Sequence, residues 1–102
     1  MVGYLEARRA HDVATALDTP VWCGGMLETG LGRAANLALA SLPGFTLPGD
    51  ISASDRYYAQ DITQPFTLVD GRISVPQGAG LGVDLREDVL SDVVTSRRSL
   101  SP

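Results

Sequence analysis

Residues 20–55, PVWCGGMLETGLGRAANLALASLPGFTLPGDISASD, decide the fold of this chain. Val21–Cys23 is a short apolar run, read as a buried strand. Gly24-Gly25 then turns the chain. A helix is predicted over Gly30–Leu42, because Leu31, Ala34, Ala35, Ala38 and Leu42 share one face and alanine has high helix propensity. Pro43-Gly44 stops it. Phe45–Leu47 is a second short apolar run, followed by Gly49-Asp50. Strand, turn, helix and strand make one βαβ-like passage with parallel strands. In parallel α/β architectures ligands sit at the carboxyl ends of strands. That rule directs attention to Gly24, Gly25, Met26 and Leu27 after the first strand, and to Asp50 after the second.

Working outward, Gly3–Leu17 reads as a helix with Ala7, Ala10, Val13, Ala14 and Leu17 on one stripe. Asp18-Thr19-Pro20 ends it. Beyond the central passage, residues 51–65 have no clear period, and a stretch this long without structure is usually functional or packed on something else. Phe66–Val69 and Arg72–Val75 flank Asp70-Gly71, the strongest hairpin signal in the chain. Gly78, Gly80 and Gly82 alternate with Ala79, Leu81 and Val83. Asp84 is placed to cap a last helix over roughly Leu85–Thr95, with Val89, Leu90 and Val93 inward. Residues 97–102 read as a frayed tail. The switch near residue 65 divides the chain into 1–65, of α/β type, and 66–102, of hairpin-plus-helix type. Two parallel strands cannot close on themselves, since parallel sheets need covered faces and further neighbours. The chain therefore reads as part of a larger fold, expected to be poorly soluble, associated or molten alone.

The composition excludes several classes. With 12 acidic against 8 basic residues, and a net charge of −4, nucleic acid is not expected as a partner. No apolar run is long enough to span a bilayer, so no membrane role is expected. Residues 1–20 lack the pattern of a signal peptide, which fits a cytoplasmic protein. A single cysteine, Cys23, allows no internal disulfide. All 8 basic residues are arginines and the chain has no lysine. A lysine base or Schiff base is thus impossible within this polypeptide alone.

Gly30-Leu31-Gly32-Arg33-Ala34-Ala35 matches the dinucleotide-binding pattern, and Asp50 follows about twenty residues later. A helix N-terminus with free N–H groups would cradle a pyrophosphate there. The pattern wants its glycines directly after the strand, however, and Met26–Thr29 intervene. The alternative it supports is a small independent α/β binding or interaction domain, nucleotide-binding at Gly30–Ala35. Glu28 is expected to favour the start of the second helix electrostatically. Asp55, Asp61 and Asp70 read as turn residues, His11 as a surface or boundary histidine, Cys23 as a buried inert thiol and Trp22 as core. Ser52 and Ser54 have no histidine at a recognisable spacing.

The segments WCGGMLETGLGRAANLALASLP and FTLPGDISASDRYY resemble the end of the barrel domain of the o-succinylbenzoate synthase / N-acylamino acid racemase group, in the muconate-cycloisomerase branch of the enolase superfamily. Gly3–Ala7 looks like the helix after the sixth barrel strand, and residues 66–94 like the return to the capping domain. Gln77 and Ala79 depart from the pattern near Gly80–Val83. The resemblance implies an α/β fold, the C-terminal fragment of a (β/α)7β TIM-like barrel plus the C-terminal return to an α+β capping domain. It implies that Gly24, Gly25, Met26, Leu27 and Asp50 line a pocket for a small-molecule carboxylate substrate. Members bind Mg²⁺ through three acidic strand-end residues and use two lysines on opposite faces of the substrate, with the metal stabilising an enediolate. One activity dehydrates a cyclohexadiene acid to o-succinylbenzoate in menaquinone biosynthesis, and another racemises N-acylated amino acids. The lysines and metal-ligand strands are expected upstream of Met1. The chain itself is expected to hold no catalytic residue and no metal, to be inactive alone, and to pair with the missing N-terminal part or in a homo-oligomer.

Overall fold

A computed structural model describes residues 3–101 of the chain. Its elements are α1 (Tyr4–Ala16), α2 (Gly30–Ala40), a single 3-10 turn at Ser54–Arg56, and α3 (Glu87–Val93). α1 ends where the sequence says it should. Asp18 takes a left-handed φ of 51°, the Thr19 N–H donates to Ala14 C=O at 2.9 Å, and the Asp18 N–H donates to Thr15 C=O at 3.1 Å. This double return is a Schellman closure, and Pro20 follows it.

The buried side of α1 differs from the expected stripe. Ala7 and His11 are buried, while Val13 and Leu17 face outward. His11 is not a surface residue. Its Nε2 accepts the Gly44 N–H at 2.9 Å, its Nδ1 lies 2.9 Å from Asp12 Oδ1, and its ring stacks on Phe45 with centroids 5.5 Å apart. A histidine with both nitrogens partnered can occupy an interior position that the apolar count assigns to valine.

The two apolar runs lie side by side and parallel. Val21 N–H donates to Gly44 C=O at 3.0 Å, Leu47 N–H to Val21 C=O at 3.3 Å, and Asp50 N–H to Cys23 C=O at 2.8 Å. Regular pairing is confined to one parallel bridge, Gly24 to Asp50, and no extended strand forms among the described residues. Val21 and Cys23 use their backbone groups on this side. By alternation, those of Trp22 and Gly24 point to the opposite edge. Trp22 is 56% exposed, not core as expected.

α2 starts where predicted and buries Gly30, Arg33, Ala34 and Leu37. That stripe is rotated from the expected one, leaving Ala38 outside, because Arg33 has polar partners inside. Ala34 and Leu37 form the core with Phe66, and Ile51, Ile73 and Val83 pack against them. The core therefore draws on both sides of residue 65. Asp70-Gly71 makes the expected hairpin turn, with φ of 50° and 72° and reciprocal Val69–Arg72 backbone bonds of 2.9 and 3.0 Å. α3 is shorter than expected. Arg86, not Asp84, is its N-cap, Val89 is buried and Val93 is exposed.

Candidate functional site

The parallel bridge sets Gly24 beside Asp50, with Gly25 next to the same residue and Met26 and Leu27 following in the turn. The approach is close. A Cβ built on Gly25 would lie 2.1 Å from the Asp50 carbonyl oxygen, so any side chain there must push the two segments apart. Past this point the turn lifts its side chains outward, with Met26 76% and Leu27 62% exposed. The Asp50 side chain is also exposed, and only its backbone serves the bridge.

Three polar side chains hold the turn. The Met26 N–H donates to Glu28 Oε2 at 2.7 Å, and Glu28 Oε1 accepts from Asn36 Nδ2 on α2 at 3.1 Å. From the other side the Tyr58 hydroxyl donates to the Leu27 carbonyl. Glu28 thus binds the turn rather than the start of α2, whose N-cap is Thr29. An open cleft of about 430 Å³ lies beside the first segment, bordered by Tyr4, Ala7, Trp22, Gly24, Met26 and Asn36.

The start of α2 is filled from within the chain. The Gly30 N–H donates to Asp61 Oδ1 at 2.9 Å, and the same oxygen accepts the Ile62 N–H at 2.7 Å. A Cβ on Gly30 would sit 1.8 Å from Thr63 Oγ1. A carboxylate already satisfies this helix end and would repel a phosphate, so the Gly30–Ala35 pattern here serves close packing. Arg33 completes the cluster. It is fully buried, with Nη1 3.5 Å from Ser54 Oγ and 3.9 Å from Asp61 Oδ2, and Ser54 Oγ accepts the Phe66 N–H at 2.8 Å. Arg33 Nε, Arg33 Nη2 and Asp61 Oδ2 have no hydrogen-bond partner among the described residues. Asp61 is therefore a buried cap and counter-charge, not an ordinary turn residue. Sequence reasoning missed it and Arg33. The available signal was the aperiodic polar stretch 51–65, whose side chains had to find partners somewhere.

Cys23 is buried, with Sγ 3.8 Å from the Asn36 carbonyl. Burial first, and the Glu28 carboxylate second, raise its thiol above the usual range, which disfavours the thiolate. Burial, with a smaller contribution from Cys23, likewise raises the Tyr4 phenol. No three His, Cys, Asp or Glu side chains among the described residues stand close enough together to hold a metal ion. No helix among them is long and apolar enough to cross a membrane.

The geometry can be set beside known proteins. Residues 1–89 match the family described as enolase C-terminal domain-like. An N-succinylamino acid racemase of Amycolatopsis is 65% identical over 95 residues, covering 93% of this chain and 26% of the relative. An o-succinylbenzoate synthase of Bacillus subtilis is 52% identical over 94 residues, covering 91% and 25%. A crystal structure of an enolase-superfamily member from Listeria innocua superposes with a TM-score of 0.87 at 45% identity, over 92% of this chain and 26% of that one. The chain spans about a quarter of the length of the curated relatives it matches. With the family match running through α1, α2, the bridge and the buried cap, the chain belongs to the enolase C-terminal domain-like family.

Proposed function

We propose that this chain is the C-terminal segment of an o-succinylbenzoate synthase / N-acylamino acid racemase, and that Gly24–Leu27 and Asp50 form part of its substrate-pocket wall. The observation that carries the reading is 65% identity over 93% of the chain to the Amycolatopsis racemase, across the turn and the helix that backs it. The exposed apolar side chains of Met26 and Leu27 support it, since a wall facing a substrate presents apolar surface at its mouth. So does the edge at Trp22 and Gly24, which has no backbone partner there among the described residues and where a neighbouring segment would sit. On this reading the proton-transfer lysines and any Mg²⁺ ligands belong to segments this chain does not supply. Its own contribution is shape, through a turn that carries exposed apolar side chains.

The test is a chimera in which this whole chain replaces the matching quarter of the Amycolatopsis relative. Racemisation of N-succinylamino acids and formation of o-succinylbenzoate are assayed separately. Turnover of either within about tenfold of the parent supports the reading. A soluble, folded chimera with neither activity overturns it. The 102-residue chain assayed alone is expected to turn over neither substrate, because it has no lysine to move the proton.

A further inference from the structure

We propose that Glu28 is a positioning residue that fixes the Gly24–Leu27 turn as a preformed wall, acting with Asn36 and Tyr58 as a two-sided clamp. The inference rests on the pocket-wall reading above and adds how that wall keeps its shape.

The argument begins with a mismatch. Met26 and Leu27 are largely exposed and make little packing of their own, so the turn gains little order from burial. Yet two of its backbone groups, the Met26 N–H and the Leu27 carbonyl, are engaged by side chains from outside the turn. Glu28 spends one carboxylate oxygen on the Met26 N–H and the other on the Asn36 amide, which is carried on α2. α2 is anchored in turn by Ala34 and Leu37 in the core and by Asp61 at its start. Tyr58 holds the Leu27 carbonyl from the loop that follows the second segment. The turn is thus tied to a rigid helix on one side and to the far loop on the other. Both bonds to Glu28 are charge-assisted, which makes them stronger than neutral ones. A wall held this way needs no ordering when substrate arrives, so the clamp lowers KM and leaves kcat alone.

The chemistry of the Glu28–Asn36 pair supplies a test that a merely structural role would not pass. Glu28→Gln keeps one acceptor for the Met26 N–H, and the Asn36 amide can turn over to accept from the glutamine amide. Asn36→Asp instead sets two carboxylates against each other. Combining Glu28→Gln with Asn36→Asp restores a donor–acceptor pair in the reverse sense. The experiment measures KM and kcat for these variants and for Glu28→Ala in the chimera carrying the full chain. Hydrogen–deuterium exchange at the Met26 and Leu27 amides is followed in parallel, in the chimera and in the full 102-residue chain.

Glu28→Ala and Asn36→Asp are expected to raise KM about fivefold with kcat within about twofold, and to speed exchange at Met26 but not within α2. Glu28→Gln and the double variant are expected to stay within about twofold of the unsubstituted chimera in KM. If an active chimera shows unchanged KM and unchanged Met26 exchange in Glu28→Ala and Asn36→Asp, the clamp is overturned. A double variant no better than Asn36→Asp overturns the pairing as well. If the unsubstituted chimera is inactive, the pocket-wall reading falls, and the exchange data alone decide whether the clamp exists.

Discussion

The Gly24–Leu27 turn and the 51–66 loop lie next to each other and treat polarity in opposite ways. The turn exposes methionine and leucine, while the loop buries serine, aspartate and threonine: Ser54, Asp61 and Thr63 are 1%, 5% and 0% exposed. Hydrophobicity alone predicts the reverse. Hydrogen bonding explains the loop. The start of α2 needs acceptors for its free N–H groups, and a buried Arg33 needs a counter-charge. Once Asp61 answers both, the cost of burying it is offset by three interactions at one carboxylate. The turn has no such obligation inward, and its apolar side chains are free to face whatever lies beyond the chain.

The largest test of this contrast is Asp61→Ala. It leaves the Gly30 and Ile62 N–H groups without their acceptor and strips Arg33 of its counter-charge. Removing one partner of a buried ion pair costs about 3–5 kcal/mol. In the chimera this is expected to lower the melting midpoint sharply, or to leave the protein insoluble. Asp61→Asn keeps an acceptor for the two N–H groups and is expected to lose less. If the two substitutions melt alike near the parent, the loop is not held by its buried carboxylate.

Gly25→Val attacks the other region. The new Cβ would meet the Asp50 carbonyl oxygen at 2.1 Å, with the backbone of Asp50 and Ile51 as its nearest neighbours. The bridge must open and the turn must shift. Turnover is expected to fall at least about tenfold, which corresponds to ~1.4 kcal/mol in the barrier. Circular dichroism should show the helices retained. Unchanged kinetics would mean that the turn's position is irrelevant to the reaction.

How much of this was legible follows from the kind of interaction involved. The first two helices, their stops and the Asp70-Gly71 turn rest on local signals, and they lie within a few residues of the expected places. The parallel neighbour relation of the two apolar runs also follows from local order, although pairing shrank to one bridge. What could not be read were partnerships across long separations. Asp61 caps a helix that begins 31 residues before it, and His11 receives the Gly44 N–H 33 residues away. Asp61 therefore looked like a turn residue and His11 like a surface or boundary one. The candidate turn itself stood out through its glycines, while its clamp did not, because Tyr58 reaches Leu27 across another 31 residues.

Cys23 sits at the boundary between the two regions, buried under α2 with its thiol raised by burial and by Glu28. Alkylation by iodoacetamide at mildly alkaline pH is expected to run at least about fivefold slower than for a free cysteine. The sign for stability follows from the same shift. The raised thiol favours the folded state while both states are protonated. That contribution is lost as pH rises from the thiol's ordinary value through its raised one. Glu28→Gln should speed the alkylation by removing the nearby negative charge. A thiol that reacts as fast as free cysteine would show that this boundary opens readily.

The smallest expected effect belongs to Asp50→Asn, and it separates charge from shape. The side chain is exposed and the bridge uses only its backbone, so stability should change by no more than about 0.5 kcal/mol. Its charge is another matter if the proposed wall faces a carboxylate substrate. Two negative charges about 8 Å apart in water repel by roughly 0.5 kcal/mol. Removing one should lower KM about twofold at low ionic strength. At about 0.15 M salt the screening length is itself close to 8 Å, so the gain should largely fade there. Measuring KM at two salt concentrations therefore tests the placement directly. A drop in KM that vanishes with salt places the Asp50 charge beside the substrate. A KM indifferent to the substitution at low salt removes Asp50 from the wall and leaves its backbone role in the bridge, where Gly25 meets it, as the whole of its contribution.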